Sequence, residues 1–92
     1  MLEREVAEER ATRFLAEQSQ AWLSSNVRII LEDCFIDADR FVAPYDRIEF
    51  LDEGDEDAQL GGNLPIAVDL KTGECSFITW EELDDFMERG LF

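Results

Sequence analysis

The stretch Leu64-Pro65-Ile66-Ala67-Val68-Asp69-Leu70-Lys71-Thr72-Gly73-Glu74-Cys75-Ser76-Phe77-Ile78-Thr79-Trp80-Glu81-Glu82 decides the architecture. Leu64 precedes a proline and is therefore pushed toward extended backbone. Pro65 stands where a strand starts and no ladder donor is needed. The apolar run Ile66 to Leu70 then reads as a strand. Leu70-Lys71-Thr72-Gly73 is a tight hairpin loop, with Gly73 free to take a positive φ. Glu74 to Ile78 returns antiparallel. Thr79-Trp80-Glu81-Glu82 is a capping box, Thr79 as N-cap and Glu82 three residues on. The helix it opens carries Leu83, Phe86 and Met87, and Gly90 stands at its C′ position with Leu91 beyond.

Upstream lies a run of acids, Glu49, Asp52, Glu53, Asp55, Glu56 and Asp57. Asp55 is placed to cap a short helical turn over Glu56 to Leu60, which Gly61 would stop. Gly61-Gly62-Asn63 then forms a sharp structural turn feeding Pro65. Further back, Val27 to Leu31, Cys34 to Ile36, Arg40 to Ala43 and Ile48 to Leu51 are extended candidates, with Pro44-Tyr45-Asp46 as a turn. Residues 2–23 read as an amphipathic helix whose stripe runs through Ala7, Ala11, Phe14, Leu15, Gln18 and Trp22. Glu5, Glu9, Arg13 and Glu17 face the other way, and Glu9 with Arg13 makes an i,i+4 pair. Ser24-Ser25-Asn26 breaks this helix. The expectation is a single α+β domain over residues 1–92. It has two layers: an antiparallel sheet of about four strands packed with an N-terminal and a C-terminal helix.

The chain has 92 residues, with hydrophobic residues at 46%, 7 phenylalanines and 2 tryptophans, enough for one core. Its net charge of -15 is concentrated. Residues 1–31 hold five acids against four arginines, while residues 32–92 hold 18 acids against Arg40, Arg47, Lys71 and Arg89. Solubility is one reason for such an excess. A basic partner is another, because complementary fields raise association rates by about 10–1000-fold. Direct nucleic-acid binding is disfavoured, since phosphate contacts need Lys and Arg. No apolar run approaches the ~20 residues of a membrane span. The start Met1-Leu2-Glu3-Arg4-Glu5 is acidic where a signal peptide would be basic, so no membrane partner and a cytoplasmic address are expected. Cys34 and Cys75 have no His or Cys-x-x-Cys companion and read as free thiols in apolar runs.

Catalysis is not expected. There is no His to act as a base near neutral pH, and no nucleophile motif. The acidic run fails as an EF-hand loop. With Asp55, Asp57 and Gln59 at positions 1, 3 and 5, position 6 is Leu60 rather than Gly and position 12 is Ile66 rather than Glu. No metal and no cofactor are therefore expected. Gly61-Gly62-Asn63 lacks the Lys and following helix of a phosphate loop. Trp22 and Trp80 read as core anchors. Phe41 and Tyr45, beside the Pro44 turn, read as exposed contact residues.

The segment from Glu49 to Glu74 resembles the YrhB family, also classed as immunity protein thirty-five of bacterial polymorphic-toxin systems. The matching residues are Phe50-Leu51, Gly54-Asp55-Glu56, Ala58, Leu60, Gly62-Asn63, Pro65, Asp69 and Thr72-Gly73-Glu74. The resemblance covers under a third of the chain in detail. It implies an α+β fold and a small cytoplasmic protein, encoded beside a toxin that it binds and neutralises. The expected partner is thus a protein, a cognate toxin, blocked either by plain steric cover or, as the charge suggests for a basic active site, by the acidic surface. The expected contact residues are Glu49, Asp52, Glu53, Asp55, Glu56, Asp57, Phe41 and Tyr45. The alternative is a stress-related, chaperone-like or adaptor protein with no single tight partner. Pairing of two copies into a homodimer through an exposed strand edge also stays open.

Overall fold

Alternation along two neighbouring strands organises the molecule. In β3 (Arg40–Ala43) and β5 (Ile66–Asp69), Phe41, Ala43, Ile66 and Val68 join one buried cluster while Val42 and Ala67 join another. Successive side chains of a strand point to opposite faces, so the sheet holds a core on each side. This is why the Ile66–Val68 run is apolar throughout rather than alternating. The computed structural model describes residues 1–22, 26–58 and 63–91.

The elements in chain order are α1 (Arg4–Ser19), β1 (Val27–Ile29), β2 (Phe35–Asp37), β3, β4 (Tyr45–Arg47), α2 (Ile48–Glu53), β5, β6 (Cys75–Phe77) and α3 (Trp80–Glu88). Short 3-10 turns span Leu31–Asp33 and Glu56–Ala58. The fold class is α+β. One antiparallel sheet of four strands runs β2-β3-β5-β6, and a separate antiparallel ribbon pairs β1 with β4. The register sets Phe41 opposite Val68, Ala67 opposite Ser76 and Arg28 opposite Asp46. β3 and β4 are nearly one strand. Pro44 lies between them, offers no N–H, and gives its carbonyl to the Ile30 N–H at 2.9 Å, which turns the chain from one sheet into the other.

Helix α1 lies on the first face. Ala7 and Ala11 are fully buried, so two side chains without bulk let the helix approach Phe41, Ile66 and Val68 closely. Leu15 and Ser19 continue the contact row; Gln18 is exposed. The helix is shorter than the 2–23 expected. Its visible i,i+4 ion pair is Arg4 with Glu8 at 3.2 Å. At the far end Phe14 meets Phe77 with ring centroids 5.2 Å apart, and Trp22 stacks on Tyr45 at 5.8 Å. Helix α3 covers the second face through Phe86, with Leu83 and the edge of Phe35 against it. The two-layer expectation is therefore corrected to a sheet with one helix on each side.

Local signals are realised where hydrogen bonds close within a few residues. The Thr79 hydroxyl accepts from the Glu82 N–H and the Glu82 carboxylate from the Thr79 N–H, both at 3.1 Å. After α3, Gly90 at φ 77 and Leu91 send N–H groups to Met87 and Phe86, the doubled bond pattern of a glycine-ended helix. In the β5–β6 loop, Asp69 Oδ1 accepts the N–H groups of Lys71 and Thr72, and Gly73 takes φ 78. Arg10 of α1 packs on that glycine and donates Nη1 to its carbonyl at 3.3 Å.

Several expectations are overturned. Phe41 is 0% and Tyr45 5% exposed, so neither is a contact residue on the surface. Phe41 lies under α1, and Tyr45 meets the rings of both Trp22 and Phe77. Ile48 to Leu51 is helical, not extended. Trp80 is 57% exposed and Met87 56%, so the first is no core anchor and the second leaves the buried face of α3 to Phe86. Trp22 touches the rings of Tyr45 and Phe77 but is also exposed. Gly61 and Gly62, expected as a turn, lie outside the described residues, as does Leu60 at the end of the expected helical turn.

Candidate partner-binding surface

Helix α2 carries the first acids. Its start is extended backbone at Arg47, and Gly54 ends it in the left-handed region at φ 72, donating to the Phe50 carbonyl at 3.1 Å. Only glycine takes that conformation without strain. The helix is held to the ribbon from two sides. Asn26 Nδ2 donates to the Glu49 carboxylate. Arg28 of β1 grips Asp52 with Nη2 to Oδ1 at 2.7 Å and Nε to Oδ2 at 3.4 Å. That two-pronged contact raises the Arg28 pKa still further above its ordinary value.

Glu49 and Asp52 are thus each already engaged by a side chain from the β1 segment. Past Gly54 the backbone turns into the 3-10 segment. Asp55 Oδ1 accepts the Asp57 N–H at 3.1 Å, the capping expected from sequence. Glu53, Asp55, Glu56 and Asp57 are exposed. Four carboxylates in five positions are therefore presented by a segment anchored at Arg28 and Asn26. Their chemistry is that of hydrogen-bond acceptors and negative charge.

The balance elsewhere reinforces this polarity. Five of the eight cationic side chains are engaged in ion pairs: Arg4, Arg28, Arg40, Lys71 and Arg89. Arg10 donates to the Gly73 carbonyl, far from residues 53–57 in sequence, and keeps its charge. Few cations remain to neutralise the acids of residues 53–57. Among the described residues, no group of three or more His, Cys, Asp or Glu side chains could hold a metal ion. No helix among them is long and apolar enough to cross a membrane.

Of the residues expected to build turns, Gly73 takes a positive φ in the β5–β6 loop, whereas Asn63 and Pro65 make contacts with distant strands. Asn63 donates Nδ2 to the Tyr45 carbonyl at 2.9 Å, tying the entry of β5 to β4. The Pro65 carbonyl accepts the Ile78 N–H at 3.0 Å. Gly54, Asn63, Asp69, Thr72 and Gly73 all shape or bond the backbone rather than present contact chemistry.

The sequence reading missed one exposed feature. Trp80, Asp84 and Met87 recur at i, i+4 and i+7, which places them on one flank of α3 beside the buried Phe86. The signal was available: Trp80 opens the helix beside its N-cap, a position outside the sheet contact. The chain matches no protein-family model, no curated protein and no solved structure.

Proposed function

We propose that the chain is an immunity-type inhibitor that binds a cognate bacterial toxin and covers its active site. The observation that carries this reading is the anchored acidic segment, Glu53, Asp55, Glu56 and Asp57 displayed past Gly54 while Asn26 and Arg28 hold α2 in place. The resemblance of residues 49–74 to the immunity protein thirty-five family supports the class. The unbalanced charge of -15 supports a basic counterpart. Toxins that attack nucleic acid bind phosphate with Lys and Arg, and carboxylates on a fixed turn imitate that substrate.

The test begins with tagged protein used to capture partners from its native cell. A single stoichiometric partner should then be purified, and its toxic activity should be abolished at equimolar chain. The quadruple variant E53Q/D55N/E56Q/D57N keeps every side-chain shape and the Asp55 cap acceptor. It should bind about tenfold or more slowly at low salt, with a flatter salt dependence. A captured partner with no toxic activity would reject the immunity reading. Unchanged association by the quadruple variant would remove this segment from the interface.

A further inference from the structure

Helix α3 buries one side and leaves another bare. Phe86 and Leu83 pack on the sheet, while the carboxylates of Glu82 and Asp85 are taken by Arg40 and Arg89. At about 3.6 residues per turn, Met87, Trp80, Asp84, Glu88 and Glu81 follow one another around about a third of the helix surface. All five are exposed, Trp80 at 57% and Met87 at 56%.

Single exposed apolar side chains are ordinary on a protein surface. Two observations set this pair apart. The chain lays its own arginines on two rings, Arg4 on Phe41 at 5.7 Å and Arg89 on Phe86 at 5.0 Å. Tryptophan holds a cation best, yet Trp80 meets no ring and no cation among the described residues. Glu81, Asp84 and Glu88 likewise form no ion pair among them. One flank therefore joins a half-exposed indole and a thioether to three uncompensated carboxylates. An arginine needs that combination: a ring for its planar face and an anion for its charge.

The charge decides the occupant. Nucleic acid and anionic lipid surfaces would be repelled by the same carboxylates. A second copy would bring a further charge of -15, and five of its eight cations are already in ion pairs. A basic partner protein is what remains, and aromatic residues and methionine are enriched where proteins meet.

We infer that this flank of α3 docks a basic segment of a partner protein. An Arg side chain of that segment stacks on the Trp80 indole with its guanidinium toward Asp84, and an adjacent apolar side chain covers Met87. The inference goes beyond the toxin reading and does not depend on it, because α3 lies outside residues 53–57 and the test uses no toxin.

The probe is a short synthetic peptide of arginine and leucine, titrated into the full chain at about 0.15 M salt, where long-range attraction is screened. Amide and indole NMR shifts should centre on Trp80, Asp84 and Met87. Trp80→Ala should weaken binding about tenfold or more. Leu31→Ala removes an exposed apolar side chain elsewhere and should leave affinity nearly unchanged. Asp84→Asn should weaken binding about two- to fivefold, and Asp33→Asn, an equal loss of charge at another exposed site, should not. The two Asp variants decide the matter should W80A lose its fold. Replacing the peptide's leucines by serine should weaken binding about fivefold or more. Shifts centred on residues 53–57 would overturn the inference. So would equal losses within either pair of variants, undiminished binding of the serine peptide, or no binding at all. A dimer by sedimentation that W80A dissolves would give the flank to a second copy and also overturn it.

Discussion

Arg40, in the middle of the chain, and Glu82, in the first turn of α3, form an ion pair that ties the helix to the four-stranded sheet. The same carboxylate accepts the Thr79 N–H at 3.1 Å, so one side chain both starts the helix and docks it. The Arg40 contact is the main reason the Glu82 carboxyl sits below its ordinary range, with the Thr79 bond adding to it.

Glu82→Gln should cost about 0.5–1 kcal/mol at neutral pH and Glu82→Ala about 1–2, since alanine also removes the capping acceptor. The folded-state pKa is depressed. The charge-dependent stabilisation is therefore fully present above the unfolded value of about 4.3 and is lost as pH falls through the lower folded value. Urea melts of wild type and E82Q should separate at neutral pH and converge in acid. A gap that persists unchanged in acid would contradict this account.

Gly73 combines a positive φ with a close neighbour. A Cβ there would lie 2.8 Å from the Arg10 guanidinium. Gly73→Ala should destabilise by about 1–3 kcal/mol, mostly through backbone strain. Because Arg10 is flexible, the crowding part is small. In an Arg10→Ala background the penalty should shrink by a few tenths of a kcal/mol only. Loss of most of the penalty in that background would show that crowding, not φ, was the cause.

Adjacent residues of α3 should behave oppositely. Phe86 is 2% exposed and packs edge-on against Phe35 at 5.3 Å, while Met87 is 56% exposed. Phe86→Ala should cost about 3–5 kcal/mol and Met87→Ala under about 0.5. Comparable losses in denaturant melts would mean that α3 sits rotated from the orientation described.

The two thiols should also differ. Burial pushes Cys34 up to about 11, and its Sγ donates to the Ile30 carbonyl at 3.3 Å. Cys75 is half-buried and is raised too, again by burial. In a Cys75→Ser variant a disulfide reagent at about pH 8 should label Cys34 only at the rate of chain opening. Rapid native labelling would refute its burial.

Much of the backbone was legible because its bonds close locally. The Thr79–Glu82 box, the Asp69 loop and the Gly90 stop each rest on residues within five positions of one another. Ile48 to Leu51 was misread for the opposite reason. Its β-forming side chains favour a strand, but Gly54 at its end and the distant Asn26 and Arg28 hold it helical. The acids of residues 53–57 were legible as an exposed run. That Glu49 and Asp52 are already engaged was not, because their partners lie 23 and 24 positions earlier.

The amino-acid order alone determined an α+β chain with a capped last helix, a β5–β6 hairpin and a strongly acidic second half. Those properties follow from spacing and composition, which need no knowledge of distant contacts. Tertiary structure decided which apolar residues are covered. Phe41 and Tyr45 vanish inside because the sheet is packed on both faces, and Trp80 stays outside because Phe86, with Leu83, fills the contact beneath α3.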